Sequence, residues 1–118
     1  MLQLIIILGD SNAKGIEKFT SEFMYLDCTT PDKFQTSLDS LHYFNPRSIY
    51  FSTFFNLFRA DDIQKDHVEQ FVGKVEQVCR DFPYATITVQ LPYYQESYYF
   101  TIAEGLQVNL LFLFNYNN

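Results

Sequence analysis

The chain has 118 residues, a formal charge of −6 at neutral pH and a 19% aromatic share made up wholly of Phe and Tyr. That length suits one domain, large enough to bury a core without metal or disulfide staples. An acidic chain with no basic run repels phosphate backbones, so nucleic acid is not expected as a partner. The apolar runs are too short to span a bilayer as helices.

The first predicted element is a strand over about Leu2 to Leu8, a β-branched run of the kind buried in parallel sheets. Gly9 stops it, and Ser11 or Asn12 can cap a short helix through Phe19 that Gly15 weakens. Phe23 to Leu26 is a second short strand. Thr29-Thr30-Pro31-Asp32 opens a second helix, with a Thr cap, Pro in the first turn and an acid three residues after Thr29. Phe34, Leu38 and Leu41 recur at i, i+4 and i+7, giving that helix one narrow core-facing stripe, and Asn45-Pro46 ends it. Ser48 to Phe55 is a third strand. Asp61-Asp62 opens a long helix, the two acids suiting the positive end of its dipole. Val68, Phe71, Val72, Val75, Val78, Cys79 and Phe82 fall on one of its faces, and Pro83 closes it. Ala85 to Leu91 is a fourth strand, followed by the aromatic loop Pro92-Tyr93-Tyr94. Ser97 can cap a short helix that stops at Gly105, and Val108 to Phe114 is a fifth strand.

This alternation predicts an α/β domain spanning the chain. Its sheet would be parallel and five-stranded, in the flavodoxin-like order 2-1-3-4-5, with right-handed crossovers and helices on both faces. The loops after Leu8, Leu26, Phe55 and Leu91 would meet at the carboxyl edge, where such sheets bind ligands. The final helix usual after strand five is missing from the pattern, and Val108 to Phe114 is apolar on both sides of its alternation. The face of strands three to five left bare is therefore expected to be apolar, and to be covered by a second copy or a partner protein.

Gly9-Asp10-Ser11-Asn12, directly after a buried first strand, resembles the first conserved block of the SGNH (GDSL-type) hydrolases, and the order of elements is similar over almost the whole chain. The resemblance implies Ser11 as nucleophile and oxyanion-hole amide, and Asn56 as a second oxyanion donor. Read from the residues, Gly9, Asp10 and Asn12 of the first loop and Tyr93 and Tyr94 of the loop after strand four are candidate binding residues. Thr53-Phe54-Phe55-Asn56-Leu57 lacks the glycine and aspartate of the family's Gly-x-Asn-Asp block, and Asp27-Cys28-Thr29-Thr30 lacks the glycine of its second block. The family's Asp-x-x-His after strand five, which supplies the base, has no counterpart in Asn115-Tyr116-Asn117-Asn118. Without a neighbouring base a serine hydroxyl is a poor nucleophile. Asp39-Ser40-Leu41-His42 has the right spacing but sits on the second helix, where a solvated histidine is the simpler reading. His67 beside Asp66 reads as a surface residue of the long helix.

The expectation is thus a degenerate, C-terminally shortened hydrolase-like domain, a pseudoenzyme working through self-association or partner binding. The alternatives are an ester hydrolase whose base comes from His42, His67 or another chain, and a small-ligand or phosphate binder at the first loop. Tyr93, Tyr94, Tyr98, Tyr99 and Phe100 could stack sugars or bases, with a contact surface favoured. Cys28 and Cys79 are expected as buried free thiols, which fits a reducing, cytoplasmic compartment, and no signal peptide is read before the first strand. No Cys/His grouping has metal-ligand spacing, so neither metal nor cofactor is expected.

Overall fold

The computed structural model describes residues 4–9, 23–52, 65–91 and 108–112, with backbone alone at 65–68, 91 and 110–112. It is an α/β fold built on a parallel sheet, in agreement with the alternation read from the sequence. The strands are β1 (Leu4–Gly9), β2 (Phe23–Asp27), β3 (Pro46–Ser52), β4 (Thr86–Leu91) and β5 (Asn109–Phe112). They pair side by side in the order β2-β1-β3-β4-β5, every pair parallel. The helices are α1 (Pro31–Ser40), followed by one 3-10 turn (Leu41–Tyr43), and α2 (Lys65–Asp81). The short helices expected through Phe19 and from Ser97 to Gly105 lie outside the described residues.

Local chemistry sets the boundaries. The α1 cap is Thr30, not Thr29: its Oγ1 accepts from the Lys33 main-chain N–H at 3.2 Å, and Pro31 follows at the first helical position. Thr29 instead donates its own N–H to Asp27 Oδ1 at 2.9 Å. At the other end the ladder tightens into the 3-10 turn well before Pro46. Pro46 is instead the first residue of β3, a strand position that tolerates a missing N–H, and the β1–β3 register shifts between Leu4 and Ile5 beside it.

Alternation along the strands sorts the two faces of the sheet. Ile6 and Leu8, Ile49 and Phe51, and Ile87 and Val89 are buried in register across β1, β3 and β4. Against them pack Phe34, Leu38 and Leu41 from the first helical segment and Phe71, Val72, Val75, Val78 and Cys79 from α2. Both helical stripes therefore face the core as their spacing predicts. Phe34 lies between the other two large rings, stacked on Phe71 at 5.6 Å and edge-on to Phe51 at 6.4 Å, while Phe51 and Phe71 meet edge-on at 6.0 Å. The connections β2–α1–β3 and β3–α2–β4 both step toward β5. Crossovers of one hand place both helices on this single face.

The opposite face corrects an expectation. On β3 and β4 it carries Ser48, Tyr50, Ser52, Thr86, Thr88 and Gln90, so it is polar, not apolar. Tyr50 and Ser52 both donate to Gln90 Oε1, at 3.2 and 3.0 Å. β3 and β4 are apolar on one side only, and over them no greasy surface demands a cover.

Packing makes the sharpest stability claim. Phe51 is fully buried between both helices, so Phe51→Ala is expected to cost about 3–5 kcal/mol in urea unfolding, with the m-value unchanged. Tyr84, 98% exposed in the turn before β4, should tolerate Ser within about 0.5 kcal/mol.

Candidate functional site at the carboxyl edge

β1 is an interior strand, and the chain leaves it in one direction to β2 and later returns in the other to β3. The two sides of β1 diverge at Gly9, which pairs with Asp27 on one flank and Ser52 on the other. Its carbonyl oxygen accepts twice, from the Cys28 N–H at 2.8 Å and from the Tyr25 hydroxyl at 3.0 Å. Both lone pairs are used, so the last peptide of β1 is fixed where the following loop departs. Such a point is where parallel sheets bind ligands. Of the residues the sequence singled out, Gly9 is placed there. Asp10, Ser11, Asn12, Asn56, Tyr93 and Tyr94 lie outside the described residues.

The edge is polar on both flanks of Gly9. On the β2 side, Asp27 Oδ1 accepts from the Thr29 N–H, Oδ2 meets Lys33 Nζ at 3.3 Å, and the Asp27 carbonyl accepts from the buried Ser37 hydroxyl at 2.7 Å. The Thr29 main-chain N–H, then the Thr29 hydroxyl, hold the Asp27 carboxyl below the usual carboxylate range; Lys33 acts in the same direction. On the β3 and β4 side stand Tyr50, Ser52 and Gln90. Ser52 is 7% exposed and its hydroxyl is satisfied by Gln90. Burial pushes the Tyr50 phenol up, which keeps it a protonated donor. Sequence reading missed Ser52 and Gln90. The signal was the period-two alternation of Ser48-Ile49-Tyr50-Phe51-Ser52 against Thr86-Ile87-Thr88-Val89-Gln90, which puts every polar side chain on one face.

The two histidines separate by edge. α1 starts just after the carboxyl end of β2 and finishes just before the amino end of β3, a span of about 15 Å for its ten residues. His42 therefore sits at the amino edge, opposite Gly9. Its Nε2 lies 3.6 Å from Asp81 Oδ2, and its ring lies 5.3 Å from that of Phe82. Asp39, the acid of the apparent Asp-x-x-His, accepts instead from Gln35 Nε2 at 2.9 Å. A groove of about 130 Å³ runs between α1 and α2 at this end, walled by Asp39, His42, Gln77 and Asp81. His67 is on the first turn of α2. That helix runs back to the amino end of β4 over about 25 Å, so the backbone of the turn holding His67 opens at the carboxyl edge.

Cys28 and Cys79 are both buried and free, as expected, and burial raises the Cys79 thiol. Among the described residues no group of three or more His, Cys, Asp or Glu could hold a metal ion, and no helix is long and apolar enough to cross a membrane. The chain matches no protein-family model, no curated protein and no solved structure.

Asp27 makes the edge pH-sensitive in one direction. Its folded-state pKa lies below the unfolded one, so its contribution is complete at neutral pH and fades as pH falls through the carboxylate range. Asp27→Ala should lower stability by about 0.5–1 kcal/mol at pH 7, modest because the carboxylate is partly exposed. The gap between variant and wild type in chemical denaturation should shrink toward pH 3. A gap that widened on acidification would contradict the assignment.

Proposed function

We propose that this chain is a degenerate SGNH-hydrolase-like domain, flavodoxin-like in architecture with helices on both faces, whose role is binding rather than ester hydrolysis. The observation that carries this reading is the position of His42. The one sequence match to the family's Asp-x-x-His lies at the amino edge and faces Asp81 on α2, about the length of α1 away from the edge where Gly9 delivers the first loop. Acyl transfer needs the base within hydrogen-bond reach of the nucleophile or one water away.

The binding role is read on the face opposite α1 and α2. Ser48, Tyr50, Thr88 and Gln90 are half-buried there, and Asn109 is exposed. Non-obligate protein interfaces are no more apolar than the rest of a protein surface, so a polar face suits a second copy or a partner protein that comes and goes. A second reading, an active serine hydrolase with Ser11 as nucleophile and Asn56 as oxyanion donor, is favoured by one feature: the α2 turn that holds His67 opens at the carboxyl edge.

Turnover of para-nitrophenyl acetate by wild type, Ser11→Ala and His67→Ala separates the two. The expected result is one common rate, equal to the buffer background plus whatever surface nucleophiles supply. A loss of about a hundredfold or more in both variants would overturn the binding reading and install Ser11 and His67 as nucleophile and base.

A further inference from the structure

We propose that the groove between α1 and α2 at the amino edge binds the guanidinium group of an arginine side chain on a partner protein. The site lies on the helical side of the sheet, so it goes beyond the binding role read on the opposite face and does not depend on it.

Two matching pairs build the walls. Gln35 Nε2 donates to Asp39 Oδ1 on α1, and Gln77 Nε2 donates to Asp81 Oδ1 on α2, both at 2.9 Å. Each amide thus steadies one oxygen of a carboxylate one helical turn nearer the amino edge. The second oxygens are left as acceptors. Among the described residues Asp39 Oδ2 receives no hydrogen bond, and Asp81 Oδ2 has the His42 Nε2 at 3.6 Å, beyond hydrogen-bond reach. Leu38, Val78 and Phe82 supply apolar surface between the walls. Lys74 stands about 10 Å back along α2 from Asp81. Its Nζ donates to Gln35 Oε1 and lies over the Phe34 ring, so it is engaged away from the carboxylates.

Charge and size choose the occupant. α1 has no basic residue in its last turn, and Arg80 in the last turn of α2 is paired with Glu76 at 3.9 Å. Two carboxylates and the negative ends of two helix dipoles therefore share one edge of a chain whose formal charge is −6, which favours a cation. Two carboxylates are too few to replace the water around a metal ion, so the cation is organic. Guanidinium suits these walls better than ammonium. It is planar, offers five donors to two separate acceptors, gives up water more readily, and stacks on rings such as those of Phe82 and His42, whose centres lie 5.3 Å apart. Its methylene stem suits the apolar surface below. A volume of about 130 Å³ holds one long side chain and not a helix. Tyr43, 86% exposed, directly follows His42, and Tyr84, also exposed, closely follows Phe82, so each helix leads into an exposed tyrosine beside the groove. Tyrosine is enriched in protein–protein contacts, and this selects a side chain delivered by a protein over a free small cation.

The side-chain N–H pairs of Gln35 and Gln77 are the reporters, assigned in a nitrogen–proton correlation spectrum by their absence from Gln35→Glu and Gln77→Glu. Titration with a blocked glycine-arginine-glycine tripeptide should move both pairs saturably, while the Gln90 pair, on the sheet face away from the helices, stays put. The same peptide with citrulline, which keeps the shape and loses the charge, should leave all three unmoved. Asp39→Asn and Asp81→Asn preserve side-chain size at exposed positions, and each should weaken the arginine peptide about three- to fivefold. Methylguanidinium, which lacks the peptide, should bind more weakly than the arginine peptide. Reporters unmoved by arginine, or moved equally by citrulline, would overturn the proposal without recourse to any variant. Unaltered affinity in both asparagine variants would do the same, as expected if the pairs only steady the two helix ends. Methylguanidinium binding as tightly as the peptide would overturn the assignment to a protein partner.

Discussion

The packing of Phe34, Phe51 and Phe71 is the constraint on which the rest of the molecule depends. One ring comes from each of α1, β3 and α2, and each touches the other two. Edge-on and stacked aromatic pairs add about 0.5–1.5 kcal/mol each beyond the area they bury. More important is what they fix. α1 and α2 cannot slide independently along the sheet while Phe51 is wedged against both, and Lys74, with its Nζ 5.5 Å from the centre of the Phe34 ring, closes the outer side. The helices therefore run back across the sheet in one layer, each with a defined end at each edge.

That layering divides the chemistry of the chain. Helix starts, with the Thr30 cap of α1, lie at the carboxyl edge beside Gly9 and Asp27. Helix ends lie at the amino edge, where Gln35 with Asp39 and Gln77 with Asp81 form matching pairs one helical turn apart, and His42 meets Asp81 across the groove. Spacing in sequence does not survive this sorting. Asp39 and His42 are three residues apart, but the helix that carries them delivers both to the edge opposite Gly9.

The elements most legible in the sequence are those whose side chains obey a single period. The α2 stripe from Phe71 to Cys79 and the run Ile5 to Leu8 are both decided by burial, which repeats along the element and leaves a long record. Legibility failed where a single hydrogen bond decides. Thr29 and Thr30 are equivalent as caps in sequence, but Thr30 Oγ1 accepts the Lys33 N–H while Thr29 donates its own N–H to Asp27. It fails again on β3, where the neighbours Tyr50 and Phe51 look alike in hydropathy. They point to opposite faces, and the phenol of Tyr50 belongs to a polar network forty residues away in the chain, while Phe51 belongs to the core.

That network is costly in a way an apolar pair would not be. Each hydroxyl and the amide lose water on burial and recover it only through one another, so the net gain over Val or Leu of similar volume at these positions is small or negative. What the network supplies is orientation. Two donors from one strand converge on one acceptor of the next, a geometry that a shifted β3–β4 register would break. In a sheet otherwise sealed on one side by three phenylalanines, polarity on the other side is concentrated where the chain diverges. Stability alone would have favoured an apolar β-branched residue there.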